Sequence, residues 1–291
     1  MLAKRKKGIR LCAICCSMFV LFTSLPNNRT IMAASNMSIS TYEVKYLLDS
    51  SKVLNSAKNL DSTYRNLFQT GSDYTTTNVM YLDTKDRDFN QEGWINRIRV
   101  KEDANEFELT FKKRYPVSGT DIKGALTNAK EEGFTSSDTN YTAEIDWGYS
   151  KMTLSIKCEK TKSNKDYKDL ELPSKSEAIK IIKDKMPGKE EDWGYNNWGT
   201  DKMDNASKVG PLKYKKYKGT CNGIKVVIEI WPVKNSLTGI TNYITELSFK
   251  TSSYDTASSL RSSFMNYLDK EGILIHKDSL KTQTVMDAYL G

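Results

Sequence analysis

Between residues 40 and 250 the chain repeatedly alternates polar and apolar positions, the mark of half-buried strands. In S-T-Y-E-V-K-Y-L-L-D (40–49), Thr41, Glu43 and Lys45 share one face, and Tyr42, Val44 and Tyr46 share the other. Asn78–Asp83, Trp94–Lys101 and Glu106–Lys113 read as further strands. The short turn at Asp103–Asn105 joins the last two as an antiparallel hairpin. In that hairpin Arg97 and Arg99 fall on one face, as do Glu108, Thr110 and Lys112, while Phe107, Leu109 and Phe111 take the opposite face. Tyr141–Trp147 alternates again, with Glu144 and Asp146 on one side. Met152–Cys158 fits a strand or a short helix. Leu212–Gly219, Gly223–Trp231 and Asn242–Thr251 complete the strands, carrying Lys213 and Lys215, then Lys225 and Glu229, then Glu246, Ser248 and Lys250 on their polar faces.

Helical spacing appears over Ser51–Phe68, Thr120–Glu132, Ser252–Glu271 and Lys277–Leu290. A further helix starts at Ser174, where Glu177 completes a capping box, and stops at Pro187-Gly188. Lys160–Lys168 reads as a linker, and Glu190–Gly210 as an aromatic-anchored surface loop; a carbohydrate contact through Trp193, Tyr195 and Trp198 is the sharper alternative for that loop. The fold class is α+β.

Charge changes this picture mainly at the N-terminus. The chain holds 44 basic and 36 acidic residues, a formal net charge of +8. Residues 1–34 contain six of the basic residues and no acidic one, which leaves 38 basic against 36 acidic residues in the rest. That balance gives no specific case for nucleic acid. Lys4–Arg10 followed by the apolar Leu11–Leu25 reads as a secretory signal peptide spanning 1–34, with an uncleaved anchor as the lesser alternative. Ile14 before Cys15 argues against a lipoprotein. The expected mature protein is extracellular, with no membrane association after signal removal. It keeps Cys158 and Cys221, which form either a disulfide or two free thiols. One histidine, His276, and no C-x-x-C exclude a histidine or thiolate zinc site.

The mixed-charge strand faces fit two architectures. An open sheet would expose them to water. A closed sheet would turn them inward, at a cost unless the charges pair or hold a ligand. A phosphate chain with a divalent metal would complement such an interior, because Arg and Lys take phosphoryl oxygens and carboxylates take Mg²⁺ or Mn²⁺.

Several segments, in order, resemble the CYTH-like, or triphosphate tunnel metalloenzyme, superfamily. They are Y-E-V-K-Y-L-L (42–48), M-Y-L-D-T (80–84), W-I-N-R-I-R (94–99), E-L-T-F-K (108–112), A-E-I-D (143–146), V-V-I-E (226–229) and T-E-L-S-F (245–249). The resemblance covers roughly residues 40–270. It implies an antiparallel closed β-barrel, or tunnel, of about eight strands with flanking helices. Residues 35–291 would form a single domain, with an inserted helix and loop at about 160–210. Carried over by position, Lys45, Arg97, Arg99 and Lys112 would bind phosphate, joined by Lys213 or Lys215. Glu43, Glu144, Glu229 and Glu246 would hold Mg²⁺ or Mn²⁺. The implied partner is a phosphate-chain polyanion or an organic triphosphate. Two departures stand out: Thr41 and Ser248 occupy positions where the family usually carries carboxylates. The resemblance therefore leaves two functions open, a metal-dependent triphosphatase or polyphosphatase and a non-catalytic polyanion- or surface-binding protein that retains the tunnel.

Overall fold

The structure, a computed structural model, describes residues 35–278 and 281–290. The expected signal peptide lies outside the described residues. Ten strands make one sheet: β1 (Ile39–Leu48), β2 (Thr75–Asp83), β3 (Trp94–Lys101), β4 (Glu106–Val117), β5 (Thr142–Trp147), β6 (Met152–Ser163), β7 (Ser207–Cys221), β8 (Ile224–Lys234), β9 (Thr241–Thr251) and β10 (Leu274–Ile275). The order is β10-β1-β5-β6-β4-β3-β2-β7-β8-β9, and β9 returns to pair with β1. Nine strands thus close into a barrel, and β10 adds only a short pairing at the end of β1.

Two details correct the expected architecture. The barrel has nine strands rather than about eight, and it is mixed, because β1 runs parallel to β5. A long connection separates β1 from β5, which allows the parallel approach that a hairpin forbids. Every other strand pairing is antiparallel.

The alternation along each strand yields two cores. Outward-facing Val44, Tyr46, Leu48, Phe107, Leu109, Phe111, Ile228 and Leu247 belong to the larger one, which lies between barrel and helices. The helix Tyr254–Lys270 packs there through Ala257, Phe264 and Leu268. Its N-cap, Ser253, accepts a hydrogen bond from the Thr256 N–H. Tyr46 stacks on Phe264 and donates its hydroxyl hydrogen to the Arg261 carbonyl at 2.7 Å. Burying each such aromatic contributes about 1.5–3 kcal/mol.

The second core fills one end of the barrel interior. Val79, Tyr81, Ile95, Val209, Leu212, Tyr214, Trp231 and Val233 point inward there. The C-terminal helix, Lys281–Leu290, covers them with Val285, Met286 and Ala288.

Local differences from the pattern have clear causes. Ser51–Phe68 is two short helices, Ser50–Val53 and Ser62–Leu67, separated by a Leu54–Leu60 bridge and capped by Asp49 and Asp61. Met152–Ser163 is a strand, and it absorbs the start of the expected linker because Lys160–Ser163 pairs with Glu106–Leu109 at the start of β4. The helix after Ser174 forms as the capping box predicts. The 190–210 loop contains a second short helix, Trp198–Asp204, and buries Trp198. No helix of the described residues is long and apolar enough to cross a membrane.

Candidate functional site

The polar half of the barrel interior is a cavity of about 480 Å³. Lys45 and Glu43 reach it from β1, Arg97 and Arg99 from β3, Lys112 and Arg114 from β4, Glu144 from β5, Glu229 from β8 and Glu246 from β9. Neighbouring strands deliver these side chains because cross-strand partners share a face. Glu43 lies opposite Asp146, Lys112 opposite Lys157, and Glu229 opposite Glu246. All four phosphate-binding positions first expected on β1, β3 and β4 therefore converge, as do all four expected acids.

Lys213 and Lys215 do not. β7 bulges at Gly210-Pro211, where Gly210 adopts φ +101° and an added Cβ would stand 3.1 Å from the Val79 carbonyl oxygen. The bulge places Val209 and Leu212 on the same inner face, so Tyr214 and Lys216 follow them inward. Lys213 and Lys215 then face outward. Lys215 bonds the Asn59 side chain and lies over the Tyr74 ring. Lys213 borders an external cleft of about 1110 Å³ beside residues 164–172.

Ion pairing inside the cavity is dense on one wall. Lys45 bonds Asp146 and lies 3.1 Å from Glu43. Lys112 donates to Glu144 at 2.8 Å and lies 3.5 Å from Asp146. Lys157 meets the second Glu144 oxygen at 3.2 Å, and Ser155 donates to Asp146 at 2.6 Å. Burial opposes charge on Lys45, Lys112, Glu144 and Asp146. At Lys45 it is outweighed by Asp146, Glu43 and Glu246, which hold the ammonium well above its usual pKa. Lys112 moves the other way: burial, with Arg114 and Lys45 nearby, lowers it despite Asp146 and Glu144. Burial raises Asp146 and Glu144, but the lysines prevail. Asp146 falls well below its usual range, and Glu144 falls to about 2.

The cations across the cavity are less satisfied. Arg99 is engaged by Glu108. Arg97 donates Nη2 to Thr110 at 2.9 Å, but its buried Nε has no hydrogen-bond partner among the described residues. Arg97, Arg114, Lys216 and Lys225 form no ion pair within 4.0 Å among the described residues. Basic side chains around the cavity outnumber acidic ones roughly two to one. Such an excess of inward-facing positive charge, with a buried guanidinium N–H unsatisfied, suits an anion with several oxygens.

Asp146, which the alternation puts on the same side as Glu144 but which is not among the expected site residues, is central to the site. Parallel pairing with β1 sets it against Glu43, and no local pattern encodes that pairing. Glu43, Glu144 and Asp146 each offer one oxygen, and the three atoms lie within 4.8 Å of one another. An all-oxygen set of this kind fits Mg²⁺ or Mn²⁺, provided an incoming anion draws the lysines away. Thr41 stands beside Glu144 in register and offers no carboxylate. Ser248 is buried opposite Lys45.

The other wall holds Glu229 and Glu246, bridged by Lys281 at 2.6 Å to each. Lys281 belongs to the C-terminal helix, and nothing in its neighbourhood in sequence pointed to the tunnel. Trp231 donates to the same Glu229 oxygen at 3.0 Å, stacks on Tyr214 and lies 4.8 Å from the ammonium. Burial raises Glu229, but Lys281 and these hydrogen bonds bring it down to about 2.

Outside the tunnel, Asp83 accepts hydrogen bonds from the backbone N–H groups of Thr84, Phe89 and Asn90 and so holds the turn after β2. His276 is exposed and pairs with Asp269. Cys158 and Cys221 are buried free thiols, which settles the alternative left by their spacing.

No protein-family model matches the chain, and no curated protein matches it. Solved structures do. A candidate adenylyl cyclase from Hippeastrum, described as having a dominant triphosphatase activity, is 11% identical with a TM-score of 0.50, over 85% of this chain and 95% of that one. A candidate adenylate cyclase from Bacillus halodurans is 14% identical with a TM-score of 0.42, over 87% and 98%. At these identities the likeness concerns fold, and it is carried by the Hippeastrum structure. The chain thus shares the closed-barrel fold of the Hippeastrum structure, the architecture that the resemblance in its sequence implies.

Proposed function

We propose that the tunnel binds a phosphate chain, as tripolyphosphate, polyphosphate or the tail of an organic triphosphate, together with Mg²⁺ or Mn²⁺, and hydrolyses it. One observation carries this reading: Arg97, Arg114, Lys216 and Lys225 line the cavity with no ion pair among the described residues, and the buried Nε of Arg97 has no hydrogen-bond partner among them. The triphosphatase activity named for the Hippeastrum protein supports the same class. Arg97, Arg99 and Arg114 grip phosphoryl oxygens, and Lys45 and Lys112 turn from their carboxylates toward the anion. This exchange frees Glu43, Glu144 and Asp146 for the metal. Held by Glu43, Glu144 and Asp146, a Mg²⁺ or Mn²⁺ would supply Lewis-acid neutralisation of phosphoryl oxygens and acidification of water. The guanidinium and ammonium groups stabilise charge moving to the leaving phosphate. The basic-then-apolar segment of residues 1–34, read as a secretory signal, supports an extracellular site of action.

The second reading is a tunnel that binds polyanions without cutting them. Thr41 and Ser248 favour it, because neither offers a metal ligand where the resemblance expects one. Calorimetry with tripolyphosphate, with and without Mn²⁺, combined with a phosphate-release assay, separates the two. The hydrolytic reading expects Mn²⁺-dependent release that falls at least ~100-fold in Lys112→Ala, the loss of about 2.7 kcal/mol of charge stabilisation. Binding without release leaves the second reading, and no binding ends both.

A further inference from the structure

The C-terminal helix seals the apolar end of the barrel with Val285, Met286 and Ala288. Its first turn leaves that seal incomplete. Beside Lys281 and Gln283, a second cavity of about 280 Å³ opens between the helix and the adjoining ends of β4, β5 and β6. Lys45, Arg114 and Lys281 line both this cavity and the larger charged one, so the two adjoin. Asn90, Lys151 and Gln283 line the second cavity alone.

The three clustered carboxylates stand at the junction. Glu43 and Glu144 line the larger cavity, and Asp146 lines the second. A terminal phosphoryl group held there faces the second cavity, with the rest of its chain on the other side. The carboxylates of the second cavity are already engaged. Asp146 is held by Lys45 and Ser155, and Glu246 by Lys281. Asp278 accepts the backbone N–H groups of Ser150 and Lys151. Arg114 and Lys151 form no ion pair among the described residues, so the space favours a small anion. It equals the liquid volume of roughly nine waters at ~30 Å³ each, which is room for one hydrated orthophosphate.

We propose that the second cavity is an exit for orthophosphate, so that the chain enters by one passage and the product leaves by another. The proposal rests on the hydrolytic reading. Hydrolysis joins the water oxygen to the terminal phosphorus and breaks its bridging P–O bond. Tripolyphosphate and water then give pyrophosphate, which keeps the bridging oxygen, hydrogen phosphate, and one proton that passes to solvent. The hydrogen phosphate lies on the far side of the broken bond. It moves past Arg114 toward Lys151 without displacing the shortened chain, which is trimmed from its end one phosphate at a time.

Two measurements on the full chain test it. In calorimetry with EDTA, which leaves tripolyphosphate uncut, orthophosphate is titrated onto protein saturated with tripolyphosphate. The native chain is expected to bind it. Gln283→Trp, which fills the second cavity, should weaken that binding at least ~10-fold while tripolyphosphate affinity stays within about twofold. In rapid-quench kinetics with Mn²⁺, Gln283→Trp should keep the native rate in the first turnover and lose at least ~10-fold in the steady state. Lys151→Glu should act in the same sense, and it decides the matter where Gln283→Trp fails to fold. Orthophosphate that binds only in competition with tripolyphosphate, or not at all, would overturn the proposal. So would orthophosphate binding and steady-state rates that both variants leave unchanged. A native chain that binds both anions at once and releases no phosphate fails the hydrolytic reading alone, and the orthophosphate site then stands.

Discussion

The two halves of the barrel interior are made of opposite materials. One end is a packed apolar core shared between strands and the C-terminal helix. The other is a cavity crowded with lysine, arginine and glutamate. Both are enclosed by the same strands, and on β3 the change happens within one inner face, from Ile95 to Arg97 and Arg99. The apolar end stabilises the barrel as any core does. The charged end costs desolvation, and only part of that cost is offset by internal ion pairs. The difference separates the part that holds the barrel shut from the part that waits for a ligand.

The largest effect expected from breaking this division is at the apolar end. Met286→Ala removes a fully buried side chain and should cost about 2–5 kcal/mol, read as a lowered denaturation midpoint, while tripolyphosphate affinity in the folded protein stays within about twofold. The charged end should respond in the opposite sense. Arg97→Ala is expected to weaken tripolyphosphate about 10–100-fold, or ~1.4–2.8 kcal/mol, and to leave the melting temperature equal or higher, since no internal ion pair is lost. A clear drop in melting temperature would mean that Arg97 is structural.

Titration sharpens the comparison on both sides of neutrality. Glu229 and Glu144 are depressed to about 2, so their contribution is present above about pH 4.5 and is lost as pH falls toward 2. Glu190, buried against Asn96 outside the cavity, is raised to about 8 chiefly by burial. Its protonated form is favoured on folding, so stability declines as pH rises from about 4.5 through 8. Glu190→Gln should remove that alkaline decline and leave the acid limb intact. Equilibrium denaturation across pH 3–9 reads both limbs. The smallest effect belongs to Lys215→Ala: its outward side chain should change tripolyphosphate affinity less than about twofold, and a tenfold loss would place it inside after all.

What was legible in the sequence follows the range of the forces involved. Alternation is local, so β3 begins and ends where the pattern places it, and Lys45, Arg97, Arg99 and Lys112 land on the predicted face. Features set by distant partners were hidden. The place of Asp146 depends on a parallel neighbour about 100 residues earlier, and that of Lys281 on how a terminal helix docks. Lys213 and Lys215 were misplaced because Gly210-Pro211 reads as a strand boundary, whereas it is a bulge inside β7 that resets which residues face in.

The seam of the barrel bears on how the molecule is made. β1 is synthesised before every other strand, yet its partners are β5, β9 and β10, roughly 100 to 230 residues downstream. Hairpins such as β3–β4 can close as soon as they emerge, while β1 waits for β5 along one edge and keeps the other unpaired until residue 251 has been added. Barrel closure is therefore a late, high-contact-order event, and Glu43 and Lys45 join the cavity only when it occurs. A slow refolding phase that appears with the acquisition of tripolyphosphate binding, after most strand signal has formed, would be its kinetic signature.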